Sequence, residues 1–161
     1  MRCTRDVNMN IANAEKLVRE AAADGAQIIL LPELFERQYF CQERQYEYYE
    51  FAKPVEENDA VKHFAKVAEE LKVVLPISFY EKDGKRLFNT VAILDADGTN
   101  LGIYRKTHIP DDHYYQKRHT LNMINFALYK TRSFFRILIK KSRYGKRRRG
   151  MVRINSIYKH Y

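Results

Sequence analysis

The chain of 161 residues contains no tryptophan, only two cysteines, four prolines and six glycines. Cys3 and Cys41 cannot build a disulfide framework, so any fold must be held by packing, and a reducing, cytoplasmic setting is the expectation. No apolar run approaches the ~18–20 residues of a membrane-spanning helix, which argues against a membrane partner. The opening MRCTRDVNMN lacks the apolar stretch of a secretory signal. The most informative absence is regional. Residues 117–161 hold 14 Lys or Arg and no Asp or Glu, whereas residues 1–116 hold 15 basic and 20 acidic residues, a net −5. The overall +9 is therefore a property of the last 45 residues, and inferences from basicity apply to them alone. A folded domain rarely divides its charge this way. The expectation is one domain over 1–116, followed by a basic extension over 117–161 of unrelated or out-of-frame origin.

What is present reads as α/β. A hydrophobic content of 45% suits a globular chain long enough to bury a core. Residues 8–24 place Ile11, Ala14, Leu17, Val18, Ala21 and Ala22 at helical spacing, with Asn8 or Asn10 to cap the start and Gly25 to stop it. QIILL, residues 27–31, is a β-branched apolar run without alternation, the pattern of a strand buried on both faces. A second helix is predicted over 58–72, with Val61, Phe64, Ala65, Ala68 and Leu71 on one side. Strands follow near 73–81, 87–95 and 100–106, divided by the turns Asp83-Gly84 and Asp97-Gly98. The sheet is therefore mixed, with a parallel start and an antiparallel meander. An α/β unit normally begins with a strand, yet nothing strand-like precedes the first helix. After residue 116 no clear period continues, and the tail is read as irregular or helical.

Few residues combine position with chemistry. Glu33 follows the buried run and Pro32, at the carboxyl end of a strand, where α/β sheets build sites. Desolvation by Phe35, Tyr39 and Phe40 would suit its carboxylate to general-base work; otherwise it opens a surface loop. Lys106 lies just past the last meander strand and can act as a fixed positive charge toward an oxyanion, or be a solvated loop lysine. His108 and His113, with Asp111 and Asp112, form a cluster without the spacing of metal sites, and no metal is expected. Cys41 has no local base or cation to form a thiolate and reads as a small filler beside aromatics, and Cys3 carries less signal. In the tail, GKRRRG at 145–150 near Tyr129, Phe134, Phe135 and Tyr144 suits phosphate contact and base stacking.

Two segments together carry a resemblance. GAQIILLPELFERQYFC and FNTVAILDADGTNLGIYRKTHIPDD resemble the carbon–nitrogen hydrolases of the nitrilase superfamily, over about residues 1–116. The nearest likeness is to members that hydrolyse N-carbamoylputrescine to putrescine, ammonia and carbon dioxide, in polyamine synthesis. The resemblance implies an α-β-β-α sandwich, present here in part with helices on one face of a mixed sheet. It implies Glu33 as general base and Lys106 as oxyanion-stabilising lysine of a Glu–Lys–Cys set. It places Tyr39, Phe40 and Cys41 in a loop near the substrate. It implies a linear amide or ureido substrate, no cofactor, and a homo-oligomer for full-length members. The family's nucleophile lies in a segment like CWDQWFPE, which this chain lacks; neither Cys3 nor Cys41 matches it. YYQKR at 114–118 stands where relatives read much like GYQEK. The chain is therefore expected to be truncated at both ends and inactive. Alternatives are a nucleic-acid-binding module acting through the tail, or an amidase of the same family acting on β-ureidopropionate or a nitrile.

Overall fold

The computed structural model describes residues 1–42, 45–107 and 154–156. The first helix, α1, spans Val7–Ala23, and Asp6 caps it by accepting the Met9 N–H at 3.0 Å. The cap is thus not Asn8 or Asn10, which lie inside the helix. Asn10 is fully buried and serves a tertiary purpose described below. Ile11, Ala14, Val18 and Ala21 form the buried stripe. Gly25 takes φ 86°, the left-handed conformation that ends the helix without a Cβ clash.

Strand β1, Ile28–Leu30, follows, and Ile28 and Ile29 are almost wholly buried, as the unalternating run predicted. Two 3₁₀ turns, Phe40–Gln42 and Tyr46–Phe51, lead to α2, Asp59–Leu71. Asn58 caps α2 by accepting the Val61 N–H at 2.9 Å, and Lys72 closes it at φ 56°. The meander comprises β2 (Leu75–Asp83), β3 (Arg86–Leu94) and β4 (Asn100–Arg105). β2 and β3 pair antiparallel from Leu75↔Leu94 to Asp83↔Arg86, and β3 and β4 pair antiparallel with an irregularity between Ala92 and Leu94. β1 runs parallel to the start of β2 through a bridge between Ile28 and Val74. A short strand, β5, Ile154–Ser156, pairs parallel with the other edge of β1. Three residues of the basic tail, read as irregular or helical, are therefore a strand.

Alternation along β2 divides the core in two. Leu75, Ile77 and Phe79 join Ala92 and Leu94 under the helices, against Ile11, Val18, Phe64 and Val67. Tyr80 turns to the opposite face, where it packs with Leu34, Phe40, Cys41 and Ala52. The helices thus cover one face of a mixed sheet, and the loop after β1 sends Leu34, Phe40 and Cys41 to the other.

Candidate active site

The loop that carries Glu33 is held from several sides. Leu34, the next residue, has φ 51°, a left-handed conformation that costs an L-residue roughly 1–2 kcal/mol. The surroundings enforce it: the Leu34 N–H donates to Ser78 Oγ at 3.1 Å, and its side chain is buried beside Tyr80. Such enforced backbone strain clusters at functional sites. Asn10 of α1 donates to the Glu36 carbonyl at 3.0 Å and to the Thr4 carbonyl at 2.8 Å. The Gln38 N–H donates to the Thr4 carbonyl at 2.8 Å. The Glu36 carboxylate accepts from Asn58 Nδ2 at 3.0 and 3.1 Å and from the Ala60 N–H at 3.3 Å. Burial pushes the Glu36 carboxyl above its ordinary value, against the pull of those hydrogen bonds. Both helices therefore fix where Glu33 stands.

Lys106 reaches the same point from the far side of the meander. Its backbone N–H donates to the Asn89 carbonyl at 3.1 Å, which extends the β3–β4 pairing one residue past β4. Its Nζ donates to Glu33 Oε1 in a close ion pair. The Lys106 side chain is 7% exposed and that of Glu33 is 24% exposed. Burial lowers the Lys106 pKa, while Glu33 pulls it upward in partial compensation. Asn89 completes the group, its Nδ2 donating to the same Glu33 Oε1 at 2.6 Å. One residue thus grips Glu33 with its side chain and Lys106 with its backbone. Alternation sends Arg105 to the opposite face, where it pairs with Glu81 at 2.5 Å and Asp83 at 2.9 Å. Thr90 also donates to Glu81, so that cluster is satisfied within the sheet.

The structure therefore brings Glu33 and Lys106 together, 73 residues apart in sequence. Cys41 is buried among Leu34, Phe40, Ala52 and Tyr80. Burial pushes its thiol up to about 12; Tyr39 and Lys106 act in the lowering direction and Glu33 in the raising one. Tyr39 is 43% exposed, whereas Phe40 is buried in ring contact with Tyr48, Phe51 and Tyr80. Phe35, expected beside Glu33, is instead buried in the helix-side core, edge-on to Phe64. Cys3 is half-buried at the margin of that core, and burial raises its thiol too. His108, Asp111, Asp112 and His113 lie outside the described residues, as does GKRRRG. Among the described residues no group of three or more His, Cys, Asp or Glu could hold a metal ion, and no helix is long and apolar enough to cross a membrane. Asn89 was not singled out from sequence, although a buried asparagine in a strand is unusual enough to mark.

A carboxylate beside a buried cation, at the carboxyl ends of strands, suits hydrolytic acyl transfer. Comparison with known proteins agrees on class. The carbon–nitrogen hydrolase family model matches residues 2–137, and the chain belongs to that family, within the nitrilase superfamily. The match runs past the charge break at residue 116. N-carbamoylputrescine amidase of Arabidopsis thaliana is 49% identical over 120 residues, which are 74% of this chain and 40% of that one. The enzyme of the same name from Oryza sativa subsp. japonica is 46% identical over 132 residues, 81% of this chain and 44% of that one. The chain spans about two fifths of the length of these curated relatives. The crystal structure of a carbon–nitrogen hydrolase from Helicobacter pylori G27 superposes with a TM-score of 0.64 at 28% identity, covering 70% of this chain and 39% of that one. The mixed α/β fold is thus that of the nitrilase superfamily.

Proposed function

We propose that Glu33 and Lys106 are the general base and the oxyanion-stabilising lysine of an amidase site for a linear ureido substrate, N-carbamoylputrescine. The observation that supports this most is the contact of Lys106 Nζ and Asn89 Nδ2 with one oxygen of Glu33. One oxygen is held by two donors, which leaves Oε2 as the acceptor for a proton. In the reaction, Glu33 takes the proton of a cysteine thiol. The thiolate attacks the ureido carbonyl, and charge develops on its oxygen beside the Lys106 ammonium. The C–N bond to the terminal amide breaks and ammonia leaves with the transferred proton. Water then hydrolyses the thioester, and the carbamate product releases carbon dioxide and putrescine. In this reading Tyr39, with its exposed ring, borders the substrate, and Phe40 and Cys41 back the same loop. For full-length members the reading extends to a homo-oligomer.

We infer further that this chain does not turn the substrate over by itself. Its only cysteines are Cys3 and Cys41. Cys3 packs against the helix-side core, and a thiol pushed up to about 12, as at Cys41, stays protonated near neutral pH. A catalytic set that acts as a unit gives little when its nucleophile is missing. Ammonia release from N-carbamoylputrescine is the test, with Glu33→Ala as control. Equal background in both is the expected result; turnover clearly above the control overturns the inference.

The segregated charge supports one second reading, nonspecific nucleic-acid binding by residues 117–161. Their 14 basic residues are unopposed by any acid. Such binding would fall steeply with salt and survive Glu33→Ala, and deleting residues 117–161 would abolish it.

A further inference from the structure

Glu33 and Leu34 are neighbours in sequence, yet both serve one face of the sheet. Tyr80 and Asn89 stand opposite each other in the β2–β3 register, so their side chains share that face. Asn89 Nδ2 holds the Glu33 carboxylate, and Tyr80 packs with the Leu34 side chain. An extended chain would send consecutive side chains to opposite sides. The left-handed turn at Leu34, φ 51°, removes that alternation. Among the described residues Lys72 is the other non-glycine with positive φ, and it is exposed at a helix end. Leu34 is buried, so here a bulky core residue takes a conformation that suits glycine. Both of its backbone groups are tied. The Arg37 N–H donates to the Leu34 carbonyl at 3.3 Å, a bond within the loop. The Leu34 N–H donates to Ser78 Oγ at 3.1 Å, a bond to β2 across 44 residues of sequence. Ser78 is itself buried, on the same face as Tyr80 by alternation.

We propose that Ser78 is a positioning residue for Glu33: its hydroxyl locks the turn at Leu34, and the locked turn aims the Glu33 carboxylate at Lys106 and Asn89. The net gain from one hydrogen bond is of the same order as the strain of one left-handed L-residue. The Ser78 hydroxyl therefore decides whether the turn is fully populated. Without it the Leu34 N–H is left buried and unpaired on top of that strain. Relaxation of Leu34 toward an extended backbone then turns Glu33 away from Asn89. Ser78 acts through the backbone of the residue after Glu33, whereas Asn89 acts on the carboxylate itself. β2 and β3 thus each supply one polar side chain to the same loop. The proposal deepens the reading of Glu33 as a general base and rests on it, because the aim of a carboxylate matters most where a proton must be taken.

A double-mutant cycle on the full chain tests it. Nitrogen NMR titration of the Lys106 ammonium, with and without Glu33→Gln, measures how closely the carboxylate is held against the lysine. The response to Glu33→Gln is expected to fall by about half or more when Ser78→Ala is also present. Val67→Ala removes buried atoms from the helix-side core and is expected to keep the full response, so lost stability alone does not mimic the effect. In the unmodified chain the Leu34 amide is expected to be protected from hydrogen exchange. Ser78→Ala should accelerate it by at least about tenfold while the β2–β3 ladder holds. A Lys106 response that survives Ser78→Ala overturns the proposal and leaves the Glu33–Lys106 pair standing. An equal fall in Val67→Ala overturns it as well. No response in the unmodified chain overturns the pair, and the proposal with it. If Ser78→Ala does not fold, the unmodified chain decides: free exchange of Leu34 beside a protected β2–β3 ladder overturns the lock, and protection upholds it.

Discussion

Asn89 does the most at the residue scale for the least signal in the sequence. It is 3% exposed, and it touches Glu33 through Nδ2 and Lys106 through its carbonyl. Replacing it by alanine leaves a half-buried carboxylate short of one donor, which costs about 1–3 kcal/mol. Asn89→Asp should cost more than Asn89→Ala, because it sets a second carboxylate against Glu33. Denaturant midpoints of the two variants check the order. Glu33 was legible beforehand because a carboxylate after a buried apolar run violates the local pattern. Lys106 became legible only beside the family segment it sits in. Asn89 was not, since its meaning lies in a pairing register, Tyr80↔Asn89, that residue spacing along one strand does not disclose. The same holds for Asn10, whose position at a helix start suggested a cap. The cap is Asp6, and the buried amide of Asn10 ties α1 to the Glu33 loop.

At the scale of elements, periodicity located both helices, and the two Asp-Gly turns located the three meander strands, to within a few residues. Each helix buries a single coherent stripe, and the turns Asp83-Gly84 and Asp97-Gly98 punctuate the meander, so sequence and environment say the same thing. Two features of α2 escaped it. Asn58, its cap, also donates to Glu36, and the helix start thereby anchors the site loop. Because burial raises the Glu36 carboxyl, the folded state holds that proton more tightly than the unfolded chain does. Its stabilising contribution is present below the ordinary value of 4.5 and is lost as pH rises through the folded value. Glu36→Gln should therefore flatten the fall in stability over that acidic window, measured by denaturation at a series of pH values. At the other end, Lys72 holds φ 56° at an exposed position. Lys72→Gly is expected to raise stability by roughly 0.5–1 kcal/mol, read as a higher thermal midpoint, since glycine adopts that conformation without strain.

At the scale of the whole molecule, charge and family disagree about where the domain changes character. Acidic residues stop before 117, whereas the family match continues to 137. We propose that a change of origin lies in this stretch, and that the basic tail is read out of frame. Translation of the coding sequence in its other two frames should then reveal a CWDQWFPE-like segment downstream; its absence from both contradicts that proposal. The tail's one described contribution, β5, was not legible in the sequence. Three residues carry no period, and a parallel partner is chosen by the edge it meets rather than by its own pattern. The central claim concerns the pair at the end of β1 and β4, and it can be tested without any turnover. The measurement is the titration of the Lys106 ammonium by nitrogen NMR, in the unmodified chain and in Glu33→Gln. Burial requires Lys106 to titrate below the ordinary lysine value of 10.5, and the pair requires it to fall lower still once Glu33 no longer pulls it upward. A Lys106 that titrates at the ordinary value and ignores Glu33→Gln would contradict the account.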